Sequence, residues 1–134
     1  MRNRISTKKG DKGMTRTLKG GKVSKNSKEI EFIGTLDELQ SFLGLIEDSY
    51  EVEEIQYDLY KIMAGEKVEV ERIEGYINEL SIPDINHFII PRGIIHVARS
   101  VCRRAERRAV EVSSKNVDYL NRLSDYLYIL SFNK

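Results

Sequence analysis

The sequence predicts an all-α protein, an up-and-down bundle of five helices preceded by a loop rich in glycine and lysine. From residue 29 onward, apolar side chains recur at intervals of three and four residues, which is the spacing of amphipathic helices. Before residue 29, four glycines interrupt a run of lysine, arginine and threonine that has no apolar period. The connections between the predicted helices are short and no convincing strand pattern occurs, so an up-and-down arrangement is the most economical one.

Length, net charge, cysteine content and the lack of long apolar runs limit the classes of protein that this sequence can belong to. The 134 residues are expected to form a single domain, with residues 1–28 as the loop and residues 29–134 as the bundle. The formal net charge is +1, which argues against a general binder of nucleic acid but allows a local basic patch. Cys102 is the single cysteine, so no internal disulfide can form. No apolar run approaches the length of a membrane span and no apolar signal core begins the chain, so we expect a cytoplasmic protein.

The apolar periodicity also predicts where the helices begin and end. They are expected at residues 28–48, 53–64, 68–80, 93–113 and 116–132. Ser27 is the predicted N-cap of the first helix, and Gly65 is expected to end the second. Pro83 stops the third, because proline cannot continue a helix. A short apolar segment at residues 88–93, closed by proline and glycine, leads into the fourth.

The fourth predicted helix carries a dense cluster of positive charge. Residues 96–108 hold five arginines and one glutamate, namely Arg99, Arg103, Arg104, Arg107, Arg108 and Glu106. At about 3.6 residues per turn, Arg99, Arg103 and Arg107 form one ridge, and small apolar side chains form another stripe. Arginine forks bind carboxylates and phosphates in pairs of hydrogen bonds, so a triphosphate is a natural ligand. The alternative is a solvated basic helix face without a ligand.

The N-terminal loop has a composition that suits phosphate binding. Residues 7–25 read TKKGDKGMTRTLKGGKVSK, in which glycines allow close approach of backbone N–H groups and lysine and threonine add donors. Neither the Walker pattern nor the GxGxxG pattern is present. Asp11 is an acid in a basic run, and it could order the loop or help to hold Mg²⁺. A flexible basic terminus is the alternative.

Other polar residues narrow the possible chemistry. Asp37 falls in the middle of the first predicted helix near the margin of its packing face, where a carboxylate requires a cation. The arginine ridge of the same or another subunit could supply it; a solvated mid-helix acid is the alternative. His87 and His96 fit no zinc spacing, and no catalytic triad or carboxylate pair stands out. An enzyme with this sequence would work by holding phosphates and positioning a reactive partner.

Four blocks of the sequence, in order, resemble the PduO-type ATP:cob(I)alamin adenosyltransferases. The loop at residues 7–13, continuing through residue 25, is similar to the family's ATP-binding N-terminal loop. GTLDELQS at residues 34–41 resembles the family's GTVDELNS block. FIIPRG at residues 88–93 and ARSVCRRAERR at residues 98–108 are similar to FILPGG and ARTVCRRAERR. YLNRLSDYL at residues 119–127 matches a further family block letter for letter.

The resemblance implies a fold, an activity and an assembly. The fold would be the ferritin-like five-helix bundle of that family. The activity would be transfer of the 5′-deoxyadenosyl group of ATP to the cobalt of cob(I)alamin, giving adenosylcobalamin and triphosphate. The family's members are homotrimers with their sites at subunit interfaces. Mg²⁺ would be bound through the ATP phosphates, and no dedicated metal site is implied.

The resemblance also implies roles for individual residues. Those that would bind ATP are Thr7, Lys8, Lys9, Gly10, Asp11, Gly13, Thr15, Arg16, Lys25, Arg103, Arg104, Glu106, Arg107 and Asn121. Arg103 and Arg107 would also serve catalysis, together with Asp37 and Arg99, which would pair across the interface. Phe88 would lie under the corrin ring and displace the lower nitrogen ligand of the cobalt.

The sequence departs from the family by three shortenings. The stretch from Phe88 to His96 is shorter than in relatives, and so is the connection between the second and third helices. The sequence ends at Lys134, without the tail that helps relatives to close over cobalamin. These departures concern the cobalamin side and leave the ATP side intact. The alternative interpretation is therefore an ATP-binding regulatory or chaperone-like relative that no longer adenosylates cobalamin.

Overall fold

The computed structural model describes residues 14–16, 22–24, 27–47, 49–84 and 86–133. These residues form five helices, which confirms the predicted fold class. The helices are α1 (Lys28–Leu43), α2 (Tyr50–Met63), α3 (Glu71–Asn78), α4 (Ile94–Glu111) and α5 (Val117–Leu130).

Two short strands lie in the segment that the sequence predicted to be loop. β1 (Met14–Arg16) pairs antiparallel with β2 (Lys22–Ser24), with Thr15 opposite Val23. The prediction that this segment is loop throughout was therefore wrong for these residues. Three residues are too few for an alternating pattern to be recognised in the sequence, particularly among lysines and glycines.

Local chemistry sets the helix ends. Ser27 and Ser49 are the N-caps of α1 and α2, and their Oγ atoms accept hydrogen bonds from backbone N–H groups at 3.3 and 3.1 Å. Helix α1 ends at Leu43 and not at residue 48, because Gly44 begins a turn although the apolar pattern continues to the buried Ile46. Gly65 has a φ of +87°, a left-handed conformation that suits glycine, and it follows the end of α2 as predicted.

The helices alternate in direction around a central α4. Helix α4 packs against both α1 and α5, while α2 packs on α1 and α3 packs on α5. Glu106 of α4 contacts Asn121 near the start of α5, and Arg99 near the start of α4 lies over Tyr128 near the end of α5. Helices α4 and α5 are therefore antiparallel, in agreement with an up-and-down bundle.

One apolar core fills the bundle. The leucines of α1, α2 and α5 are buried together with Ile55 and Ile62 of α2, and α4 contributes small residues to the same core, namely Ala98, Ala105, Ala109 and Cys102. Because these side chains are small, α4 can approach its neighbours closely. Burial raises the pKa of the Cys102 thiol, whose Sγ donates to the Leu120 carbonyl oxygen at 3.3 Å. Cys102 thus packs as a small core residue, and its thiol stays protonated.

A buried carboxylate joins helices α2, α3 and α5. Asp58 of α2 is only 2% exposed; it accepts a hydrogen bond from the Tyr119 hydroxyl at 2.8 Å and forms an ion pair with Arg72. Burial, followed by the charge of Asp58, raises the pKa of Tyr119, so the phenol remains a donor. This arrangement satisfies the buried charge and fixes the start of α5 against α2 and α3.

Candidate functional site

The outward face of α4 carries the arginine ridge that the sequence predicted. Arg103 and Arg107 are exposed, and Arg99 is half-buried. Within residues 27–47, 49–84 and 86–133, no carboxylate forms an ion pair with any of the three. Exposed guanidinium groups without an internal counter-ion are suited to bind an external anion.

The glutamate on this ridge is held by another side chain. Glu106 lies between Arg103 and Arg107 in sequence, yet its Oε2 accepts a hydrogen bond from Asn121 Nδ2 at 3.2 Å. Asn121 in turn accepts a bond from Arg122 Nη1 at 2.8 Å. The structure therefore brings together Glu106 and Asn121, two of the predicted ATP-binding residues, at the side of the ridge.

The remaining arginines of α4 have carboxylate partners. Arg104 forms an ion pair with Glu38 of α1, and Arg108 forms one with Glu111 at 3.1 Å. An open groove of about 410 Å³ lies between α1 and α4, and its lining includes Gly34, Glu38 and Arg104. Arg104, a predicted ATP-binding residue, thus faces α1 and lies beside the ridge.

An aromatic cluster surrounds the N-terminal end of the ridge. The Arg99 guanidinium carbon lies 5.7 Å from the ring centroid of Tyr128, which is a cation–π contact. His96 meets the same ring edge-on, with the centroids 6.5 Å apart. Burial, with a smaller contribution from the Arg99 charge, lowers the pKa of His96, which favours the neutral imidazole.

Two predicted site residues, Asp37 and Phe88, lie exposed on the surface. Asp37 is exposed on α1, and the described part of the chain provides it with no ion pair, so it does not meet Arg99 within one subunit. Phe88 is 85% exposed, and Ile90 is 67% exposed, in the non-helical segment between α3 and α4. Large apolar side chains in such a position favour contact with another molecule.

The predicted loop residues lie mostly outside the described residues. Thr15 lies in β1 and Arg16 ends that strand. The others are outside the described ranges: Thr7, Lys8, Lys9, Gly10, Asp11, Gly13 and Lys25.

Two partners of site residues were missed by sequence reasoning. Glu38 neutralises Arg104, and Arg122 holds Asn121. Both residues stand inside blocks of the sequence that resemble the family, which was the available signal. Helical periodicity assigns side chains to faces, but it does not say which charged side chains meet across two helices or along one helix surface.

The described residues offer no obvious cluster for a resident metal ion and no helix suited to a membrane. Within the described ranges, no three His, Cys, Asp or Glu side chains converge. No helix among these residues is long and apolar enough to cross a bilayer.

The fold and the α4 surface define a class of protein: a small helical bundle with a cationic helix face suited to a polyphosphate. Comparison with known proteins gives the family. The family model for cobalamin adenosyltransferase matches residues 5–133. The corrinoid adenosyltransferase of Bacillus subtilis (strain 168) is 35% identical over a gapped alignment of 161 positions, which covers 93% of this chain and 83% of that protein. The cobalamin adenosyltransferase of Cupriavidus metallidurans is 32% identical, covering 96% of this chain and 86% of its own.

Solved structures agree with the sequence comparison. A variant of the PduO-type ATP:corrinoid adenosyltransferase from Lactobacillus reuteri, complexed with cobalamin and ATP, matches with a TM-score of 0.78 at 31% identity, covering 95% of this chain and 91% of that one. A second variant, complexed with ATP, matches with a TM-score of 0.77 at 31% identity, covering 94% and 91%. The chain belongs to the cobalamin adenosyltransferase family, of the PduO type, and the resemblance stated from the sequence is confirmed.

Proposed function

We propose that this protein is an ATP:corrinoid adenosyltransferase, which transfers the 5′-deoxyadenosyl group of ATP to cob(I)alamin. The observation that carries the proposal is the pair of exposed arginines, Arg103 and Arg107, on a helix whose glutamate is engaged by Asn121. Membership of the family supports the same activity, since its relatives are named corrinoid or cobalamin adenosyltransferases.

The reaction requires charge stabilisation more than acid–base chemistry. Co(I) is a strong nucleophile that attacks C5′ of ATP. A Co–C bond forms, the C5′–O bond breaks, and its electron pair leaves with the triphosphate. Arg103 and Arg107 would stabilise the negative charge that grows on this leaving group. Both lie in helix α4, which fixes the positions of their backbones relative to each other. The corrinoid supplies the bond-forming chemistry, and the protein supplies position and electrostatics.

The nucleotide would be held jointly by the N-terminal segment and the α4 surface. The loop residues named above would wrap the ATP, with Asn121 and the two arginines completing the site. Mg²⁺ commonly binds through substrate phosphates and only one or two carboxylates, so it would arrive with ATP. Asp11 is the candidate carboxylate in the loop.

The corrin would meet the segment between α3 and α4. Phe88 is 85% exposed, so its ring is available to lie against the lower face of the corrin and to displace the nitrogen ligand there. Loss of that ligand leaves four-coordinate cobalt, which is easier to reduce to Co(I).

The assembly would be a homotrimer with each site shared between two subunits. Asp37 lacks a cation within the described part of its own subunit, and the Nε of Arg99 is buried with no hydrogen-bond partner there. Pairing of Asp37 with Arg99 of a neighbouring subunit would satisfy both groups. A cytoplasmic location belongs to the same proposal.

A reduced-cobalamin assay tests the function. Cob(I)alamin, Mg²⁺ and ATP are mixed with the protein, and the decay of the Co(I) absorbance is followed together with the appearance of a light-sensitive Co–C product. Conversion that depends on both protein and ATP is expected. ATP binding in a parallel titration without conversion would instead identify the regulatory or chaperone-like relative that the shortened segments suggest.

A further inference from the structure

A chain of polar side chains connects α3 to the arginine ridge of α4. Arg122 of α5 donates from Nε to Glu74 Oε2 at 3.1 Å and from Nη1 to Asn121 Oδ1 at 2.8 Å. Asn121 then donates from Nδ2 to Glu106 Oε2 at 3.2 Å. Helices α3, α5 and α4 are thus joined by three consecutive hydrogen bonds.

The groups on either side of Asn121, a guanidinium and a carboxylate, fix the orientation of its side-chain amide. A guanidinium can only donate, so the atom of Asn121 that meets Arg122 must be the amide oxygen. The amide nitrogen therefore points the other way, toward a carboxylate that can only accept. Without Arg122, the Asn121 amide could turn over or move away, and Glu106 would lose its donor.

The orientation of Glu106 matters because of its neighbours. Glu106 follows Arg103 by three residues, and a carboxylate and a guanidinium at that spacing can pair on a helix surface. It also precedes Arg107 directly. A Glu106 released from Asn121 would be available to pair with the arginine ridge and would compete there with an incoming phosphate.

We infer that Arg122 is a positioning residue for the ATP site. It holds Asn121 so that Glu106 is kept away from the arginines of the ridge, which leaves Arg103 and Arg107 open to the triphosphate. This inference rests on the proposed function. The Arg122–Glu74 pair is partly exposed, with relative side-chain exposures of 38% and 45%, so it should add little to stability. Its effect is expected in ATP binding.

The test compares Arg122→Met, which keeps the length of the side chain without its charge, with Arg122→Lys and a matched control. The control is Lys67→Met, which removes a cation that bonds to Asp118 of α5 but does not contact Asn121. Arg122→Met is expected to raise the KM for ATP by about tenfold, the usual effect of one charged hydrogen bond, with the KM for cobalamin unchanged. Arg122→Lys should recover part of the loss, and Lys67→Met should match the wild type.

A double variant tests the path through Glu106. In Glu106→Gln the side chain has no charge with which to compete for the arginines. Adding Arg122→Met to that variant should therefore change the KM for ATP by less than about twofold. The same tenfold effect in both backgrounds would overturn the inference, as would an unchanged KM in Arg122→Met alone. An equal fall in thermal stability and in every kinetic parameter would also overturn it.

Failure of the inference can be distinguished from failure of the proposed function. If the wild type converts no cob(I)alamin, the same variants are titrated with Mg–ATP by calorimetry. A roughly tenfold weaker affinity in Arg122→Met would support the positioning role in a protein that binds only nucleotide. Equal affinities would overturn it, and absence of ATP binding by the wild type would overturn both proposals.

Discussion

The five arginines of α4 differ in their partners although they share one helix. Arg104 and Arg108 are paired with Glu38 and Glu111. Arg99 lies against the ring of Tyr128. Among the described residues, Arg103 and Arg107 have neither a counter-ion nor a cation–π contact, so a phosphate can recruit these two without breaking an existing contact.

Arg103→Ala should therefore reduce activity far more than stability. We expect kcat/KM to fall by about 100-fold or more, the usual cost of removing one donor to a developing negative charge. The melting temperature should hardly change, because the side chain is exposed. Steady-state kinetics and thermal unfolding measure the two effects. Lys61→Ala, an exposed cation on α2, is the control and should alter neither. Comparable losses of folding and activity would indicate a structural role for Arg103.

His96 should titrate below its ordinary pKa of 6.5, because burial and then Arg99 disfavour the imidazolium. The unfolded chain then binds this proton more readily than the folded one. The contribution of His96 to stability is complete above the unfolded pKa and is lost as the pH falls through and below 6.5. NMR titration of the imidazole measures the pKa directly. A pKa above 6.5 would contradict the assignment, and His96→Gln should flatten this part of the stability profile.

At the scale of helices and strands, the sequence predicted the interior better than the ends. The apolar stripe that the sequence predicts for α5 starts at Val117, which is half-buried, and continues through Leu120, Leu123, Leu127 and Leu130, which are all buried. The end of α1 was missed because Ile46 is buried in a turn and continues the apolar pattern without being helical. The spacing of apolar residues indicates which side chains are buried, and buried side chains can continue beyond the last residue of a helix.

The candidate site was also only partly predictable from the sequence. The ridge of α4 follows from the spacing of its arginines, whereas the separation into paired and unpaired arginines does not. That separation depends on Glu38 and Asn121, which come from other helices. The roles of the loop residues came from the resemblance to the family, since glycine and lysine alone do not identify a nucleotide.

Alanine substitution at two glycines, one after the end of α2 and one inside α3, should change stability in opposite directions. Gly65→Ala should lower the free energy of unfolding by about 1 kcal/mol, because a φ of +87° strains any residue with a Cβ. Gly75→Ala should raise it by roughly 0.5–1 kcal/mol, because Gly75 lies within α3 and an added Cβ would meet nothing within 4 Å. Urea unfolding measures both. The same sign for the two substitutions would contradict this assignment of the end of α2.

At the scale of the whole molecule, the described part of one subunit leaves opposite charges without an ion pair in different places. Asp37 is exposed on α1, and the Nε of Arg99 is buried without a hydrogen-bond partner among the described residues. The proposed nucleotide and corrin contacts, Arg103 with Arg107 and Phe88, are likewise exposed on one subunit. A shared site would cover them and would exclude water from the reacting centre.

Sedimentation at micromolar concentration should therefore detect a trimer. Asp37→Asn should weaken the trimer, because it removes the proposed partner of Arg99 from the interface. Glu38→Gln is the matched control: it changes the next residue, whose charge is already paired with Arg104 in the same subunit, and should leave the assembly unchanged. A monomeric wild type, or equal behaviour of the two variants, would contradict the shared site.

The central claim is that the arginine ridge of α4 serves the departure of an intact triphosphate. The most direct measurement is the phosphate product formed during conversion of cob(I)alamin, resolved by anion-exchange chromatography and compared with the amount of Co–C product. We predict one unbroken triphosphate for each adenosylated cobalamin, in a reaction that Arg103→Ala slows. Formation of ADP and phosphate, or of AMP and pyrophosphate, in step with cobalamin consumption would show that a P–O bond is cleaved and would contradict the claim.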